Sequence, residues 1–407
     1  MRYRYDTPQH SESNGERLAA LRKRRRWTQA TLARETGYSL AAVRAFERGR
    51  RSLDRGSVIL TFAKALGCHP TEITGQPLAP GDEASQDAAA AVSSVHRALL
   101  RHGRPARPTD DEAARVDLTG LQGRVREANR LRSSAALAGT AARLPALLRD
   151  AQVAVEVCEA GDRRVAYGLL ASAYECAMQY LYTMGHSAAA TLATERVLWA
   201  AEATEDPLRA LAARWYQAGE FLAIGEHDDA ADIIEESLKA LGPAKGPEAL
   251  SLLGAFHLKA ALNAARAASP AVAEEHMSAA TAAADQLGVD RNDFELQFGP
   301  TNAAIWSVSL PVEMGRGREA VRTAEYVTAG LPDDYPPERR SHYFIDMGRG
   351  HWYNGDRDKA LAAFLEAESI APTATRMHAG VRETVRTMIR TQRRGPVLEL
   401  GIRVGAL

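Results

Sequence analysis

Four glycines that follow an apolar helical stretch are each followed five places later by an alanine: Gly185 and Ala190, Gly225 and Ala230, Gly315 and Ala320, Gly355 and Ala360. Each glycine closes an apolar helical stretch, and each alanine falls near the start of the next. The glycines are 40, 90 and 40 residues apart, and the 90 divides into two units of 45 with a degenerate copy at Ala268 to Ala273. Such a glycine supplies the positive φ that ends a helix, and the small residue lets the returning helix pack closely. The register predicts at least five helical hairpins. From about Glu112 onward the periodicity is helical nearly everywhere and no convincing strand is found, so the fold class is all-α. Hairpins of this kind cannot bury their faces singly; neighbours share a core and curve into a solenoid with a concave surface.

The N-terminal region follows a different pattern. In Thr28–Arg51, Thr28 is placed to cap one short helix, Gly37 to end it and Ser39 to cap a second. Leu32, Tyr38, Val43 and Phe46 fall at offsets that face a shared interior, and Ala33 lets the two helices cross closely. Leu40, Ala41, Arg44, Ala45 and Arg48 then share one outward face, followed by Arg50 and Arg51. With GERLAALRKRRRW before them and LDRGSVILTFAKALGCHPTEITG after them, these residues resemble the helix-turn-helix domain of the Xre and phage-repressor family over Gly15 to Gly75.

That resemblance implies a five-helix, lambda-repressor-like domain with helices near Glu16–Arg25, Gln29–Thr36, Leu40–Arg48, Ser57–Leu66 and Pro70–Ile73. It implies that Gln29 bonds a phosphate, that Arg22 pairs internally with Glu47, and that Arg48, Arg50 and Arg51 grip the DNA backbone. Ser39, Leu40, Ala41, Arg44 and Ala45 would face the groove. Leu40 and Ala41 stand where family members often carry Gln or Asn, so contact with thymine methyls replaces hydrogen bonds there. Arg44 is placed for either a bidentate guanine contact, worth about 1–3 kcal/mol of discrimination, or another phosphate contact.

The hairpin region resembles the tetratricopeptide repeat, and its last unit carries Gly348, Ala360, Phe364, Ala367 and Pro372 at that family's offsets. The longer period of 40–45 residues implies longer helices than usual. Carrying over the family's groove-facing positions selects Glu175, Gln179, Tyr182, Trp215, Asn302, Ser309, Glu313, His342, Arg349, Trp352 and Tyr353 as effector contacts. Asn302 could pair with an extended peptide or satisfy a neighbouring helix end or loop. Trp215 and Trp352 could serve core or ligand. Arg349 in an apolar groove needs an anion, such as a peptide carboxylate.

Charge separates the two halves. Residues 1–76 hold 15 Lys and Arg against 7 Asp and Glu, a net of +8, and since the whole chain sums to zero the remainder is −8. A basic head on an acidic body touches nucleic acid at one end only. Cys68, Cys158 and Cys176 show no metal-ligand spacing, so neither metal nor cofactor is expected. No stretch of about 18 apolar residues is present, and no phosphate-binding, dinucleotide, HExxH or GxSxG motif occurs. The expectation is a cytoplasmic protein that is not an enzyme.

The expected division is a flexible arm at 1–14 carrying Arg2 and Arg4, the DNA-binding domain at 15–76, a helix-containing linker at 77–111, repeats at 112–375, and a capping helix with tail at 376–407. The linker helix could pair with its copy in a dimer or lie on the body. The layout resembles actinobacterial Xre-type regulators and the quorum-sensing regulators whose repeats bind signal peptides. It implies a homodimeric transcription regulator that binds an inverted-repeat operator in double-stranded DNA and answers to a peptide or small-molecule effector, with no membrane partner. The alternative is an interaction protein whose repeats dock a protein partner, DNA binding serving localisation.

Overall fold

The computed structural model describes residues 12–101, 107–243, 245–391 and 395–407; Arg2 and Arg4 of the expected arm lie outside the described residues. Among the described residues there is no β-strand, only one isolated antiparallel bridge between Arg291 and Phe298. No described helix is long and apolar enough to cross a membrane.

The head consists of α1 (Asn14–Arg24), α2 (Gln29–Thr36), α3 (Leu40–Glu47), α4 (Gly56–Leu66) and α5 (Pro70–Thr74). Its helix ends follow local chemistry. Thr28 Oγ1 accepts from the Thr31 amide at 3.0 Å, Ser39 Oγ from the Ala42 amide at 3.1 Å, and Gly37 takes φ 70°. Leu18, Leu32, Val43, Phe46, Phe62 and Ile73 close one small core. Within it Phe62 meets Phe46 edge-on at 5.7 Å and stacks with Tyr38 at 5.3 Å. Truncating a buried phenylalanine of this kind costs about 3–5 kcal/mol.

Three short helices follow: α6 (Glu83–Ala90), α7 (Val92–Leu99) and α8 (Asp110–Ala114). Ala88, Val92, Val95 and Leu99 are buried in the core of the body, so of the two places open to the 83–101 segment, the structure shows the one on the body.

Six antiparallel hairpins then stack: α9 (Leu118–Ser133) with α10 (Leu137–Val157), α11 (Arg163–Thr183) with α12 (Ser187–Glu202), and α13 (Pro207–Ile224) with α14 (His227–Leu241). The series continues with α15 (Pro247–Arg266) and α16 (Pro270–Leu287), α17 (Pro300–Glu313) and α18 (Gly317–Gly330), α19 (Pro337–Asn354) and α20 (Arg357–Ile370). The four glycines of the register sit in the tight turns with φ between 74° and 89°, at Gly315 and at Gly225 and Gly355 respectively. In the degenerate unit Ala268 holds the same conformation at φ 60°, and in the first hairpin Ala135 does so at φ 58°. Five places on, Ala190, Ala230, Ala273, Ala320 and Ala360 are all buried. Alanine is needed there because a larger side chain would push the paired helices apart.

After α21 (Pro372–Arg376), α22 (Ala379–Thr391) and α23 (Gly395–Arg403) close the end of the stack. Val381, Val385, Met388 and Ile389 form one buried stripe, and Val397, Leu400, Val404 and Ala406 of the tail tuck onto it.

Candidate functional site

On the head, Ala41, Arg44, Arg48, Arg50 and Arg51 are exposed, while Leu40 and Ala45 are half-buried beside them. Ser39 is exposed at the start of this face, its hydroxyl occupied in capping α3. The face is stiffened from behind. Arg22 and Glu47 form a buried two-point ion pair at 2.6 and 3.0 Å, the internal pair the family resemblance implies. Gln29 is turned inward: its Nε2 donates to Glu47 Oε2 at 2.7 Å and its Oε1 accepts from Arg44 Nε at 3.4 Å. With this geometry a phosphate would have to compete with Glu47 for the Gln29 amide. Arg44 is tethered lightly, by one long bond, and Arg51 lies 4.9 Å over the Phe46 ring.

The opposite side of the head is pressed against the body. Asp54, in the turn before α4, meets α19; Arg55 lies against Gly315 at the end of α17; Gly56 faces Arg266 at the end of α15; Leu60 packs on Gly225 after α13; and Gln76 and Pro77 cover Gly185 after α11. Successive residues of the head therefore meet the carboxyl-terminal ends of five consecutive first helices, in reverse repeat order. Those ends carry the negative pole of each helix dipole, which suits a basic head.

The tightest contact is at α19. Arg349 Nε donates to Asp54 Oδ2 at 3.2 Å, its Nη2 to the Asp54 carbonyl at 3.3 Å, and its Nη1 to Asp346 Oδ1 at 3.0 Å. The Tyr353 hydroxyl donates to the same Asp54 oxygen, as does Thr384 Oγ1 at 3.3 Å. Ser309 holds Asp346 from the far side at 2.6 Å. The anion that Arg349 requires is thus Asp54 of the same chain rather than a peptide carboxylate. Beside it the Asn14 amide donates to Glu383 Oε2 at 3.2 Å. Burial pushes the Glu383 carboxyl up to about 7, against the opposing pull of the Asn14 amide and Arg386.

The remaining groove positions separate into two sets. Gln179, Trp215 and Asn302 line a cavity of about 130 Å³ on the inner face of α11, α13, α15, α17 and α19. Asn302 is engaged at both ends, its Nδ2 donating to the Gln297 carbonyl at 2.6 Å and its Oδ1 accepting from Arg339 at 2.8 Å. The structure thus fills it with a neighbouring loop and helix. Trp215 Nε1 donates to the Ala255 carbonyl at 2.9 Å, with Lys259 Nζ over its ring at 3.4 Å.

The other positions stand apart from this cavity. Glu175 is not on the groove surface: it is fully buried, 3.7 Å from Arg209, and burial raises its carboxyl to about 7. Tyr182 is 55% exposed. Glu313 pairs with Arg266 at 3.1 Å, His342 stands edge-on to His378, and Trp352 packs on the terminal core.

Sequence reasoning missed the segment that closes the cavity. Between α16 and α17 the connection 288–299 departs from the repeat pattern. The Arg291–Phe298 bridge pinches it shut, and Phe298 lies over Gly254, where any β-carbon would fall within 1.9 Å of its ring. Inside the loop Phe294, Glu295 and Gln297 all take left-handed backbone angles, φ 53°, 59° and 49°. Each costs about 1–3 kcal/mol and persists only because its surroundings impose it. The signal available in sequence was the missing glycine register across 90 residues.

A family model described as a helix-turn-helix domain matches residues 15–74. No curated protein sequence matches the chain. Among solved structures, BtubC (BKLC) from P. vanneervenii is 17% identical, with 65% of this chain and 92% of that one covered and a TM-score of 0.37. The P58(IPK) TPR domain is 15% identical, with 94% and 99% covered and a TM-score of 0.22. The fold is a helix-turn-helix head on an all-helical body of stacked hairpins. A head of this class suggests a DNA-binding regulator.

Proposed function

We propose that the protein is a sequence-specific transcription regulator of the Xre type, in which the hairpin body holds the DNA-binding head and adjusts its placement in response to an effector. The observation that carries this reading is the two-sided engagement of the head. Its arginine-rich face on α3 points outward, while Asp54, Arg55, Gly56, Leu60 and Gln76 behind it rest on the ends of five body helices. A shift among those helices moves the head without touching the DNA face.

In this reading Arg44 reads a base, and Arg48, Arg50 and Arg51 hold phosphates. The chain acts as a homodimer on an inverted repeat, whose half-sites one helical turn apart, about 34 Å, make affinity sensitive to small displacements of each head. Because the head and the 288–299 loop fill much of the groove, a compact effector fits better than an extended peptide. Catalysis has no part in the proposal.

Selection from random duplex DNA followed by sequencing tests it. The expected result is an enriched inverted repeat with the intact chain and loss of preference at one base pair per half-site with Arg44→Ala. Absence of any enriched sequence would overturn the regulator reading.

A further inference from the structure

The cavity under the 288–299 loop has the attributes of a ligand site rather than of a packing gap. Its walls include the indoles of Trp215 and Trp306 and the side chain of Leu258, while Gln297 supplies a polar group. Gln297 is only 6% exposed, and its Oε1 has no hydrogen-bond partner among the described residues. A buried amide oxygen left unpaired is unfavourable, and it sits on one of three left-handed residues in a loop pinned by Phe298. Strain and an unmet hydrogen bond meet at the cavity wall.

We propose that this cavity binds a small neutral aromatic molecule bearing a carboxamide-like donor and acceptor, its ring on the indoles and its polar end on the Gln297 amide. Size limits the guest to a single ring: an apolar cavity of about 150 Å³ accommodates one benzene, and this more polar one measures about 130 Å³. Charge sets neutrality. Glu295 and Glu338 at the edge face Arg132, at 3.5 and 2.7 Å, and Arg339. Two carboxylates balance two guanidiniums at that edge, and burial lowers the Lys259 amine over the Trp215 ring to about 7, so a charged guest gains no permanent counterion. The donor is set by Gln297 Oε1, and the acceptor by the amide nitrogen on the same side chain.

The site is placed to act on the head. Four of the five helices that line it run on to the head contact over similar lengths: Trp215 to Gly225, Leu258 to Arg266, Trp306 to Gly315, and Arg339 to Arg349. These spans of 8 to 10 residues are about 12–15 Å of rigid helix. The inference therefore rests on the proposed sensing role and names the chemistry of its effector.

The test titrates the intact chain, without DNA, with benzamide, with acetophenone, which keeps the shape but lacks the N–H, and with benzoate, which adds a charge. Calorimetry should show benzamide binding at one site per chain, about tenfold tighter than either control. Gln297→Leu should bring benzamide and acetophenone within about twofold of each other, and Leu258→Trp should abolish binding by filling the cavity. If Leu258→Trp does not fold, the Gln297→Leu comparison decides alone. No saturable benzamide binding up to roughly 10 mM, where a nine-atom fragment of modest efficiency saturates, would overturn the site, as would unchanged discrimination in Gln297→Leu. The two proposals fail separately: selective DNA binding without benzamide binding removes only this site, and benzamide binding without selective DNA binding removes only the regulator reading.

Discussion

Asp54 shows how a single side chain joins the two halves. It is buried with Arg349, Tyr353 and Thr384 around it, so removing one partner leaves an uncompensated charge. Arg349→Met should destabilise the intact chain by about 3–5 kcal/mol in chemical denaturation. The double variant with Asp54→Asn should lose clearly less than the two singles added, since the stranded charge is then gone. Glu383 supplies a pH signature. Its carboxyl, raised to about 7 by burial, binds a proton in the folded chain between about 4.5 and 7 that the unfolded chain does not bind. It therefore contributes stability at low pH that is lost as pH rises through 7. Asp54 adds repulsion to the ionised form, while Arg386 and Arg390 moderate it. Glu383→Gln, which keeps an acceptor for the Asn14 amide, should match the parent melting temperature near pH 5 and exceed it at pH 8; a pH-independent difference would contradict the assignment.

At the scale of elements, the hairpin turns and the recognition helix make separate predictions. Ala268 carries the backbone angle that glycine carries in four other turns. Ala268→Gly should stabilise by about 1 kcal/mol, the left-handed cost to an L-residue being partly offset by glycine's greater freedom when unfolded. Gly225→Ala should destabilise by more than that, since φ is 89° and the new β-carbon would lie 3.3 Å from Leu60. On α3, Arg44→Ala should remove discrimination at one base pair worth about 1–3 kcal/mol, whereas Arg50→Ala should weaken all duplexes alike and lower the salt slope by about 1. Equal loss on every duplex from Arg44→Ala would make it a phosphate contact.

These elements also show what sequence can reveal. Caps, glycines and apolar offsets act within a few residues, so α2 and the 185, 225, 315 and 355 turns were legible. Ala135 was not, because nothing in its neighbourhood announces a left-handed alanine. The 288–299 loop was visible only as a gap in the register. The Asp54–Arg349 pair spans 295 residues and has no local trace; the sequence position of Arg349 showed a need for an anion but not which anion.

Across the whole molecule, the basic head and acidic body meet along one seam, where Asp54, Arg55, Gly56, Leu60 and Gln76 touch in turn the ends of α19, α17, α15, α13 and α11. The groove is therefore largely filled by its own chain, and the small cavity under the 288–299 loop lies about two helical turns from the head along α13, α15, α17 and α19. If the seam sets how the head meets DNA, weakening it must change operator affinity, and by linkage DNA must change the seam. The most direct measurement compares the affinity of the intact parent and of Arg349→Met for the selected duplex at one salt concentration, under conditions where both are folded. A coupling of ordinary size predicts a change of at least about fivefold. Affinities equal within about twofold would contradict the claim that the body governs the head.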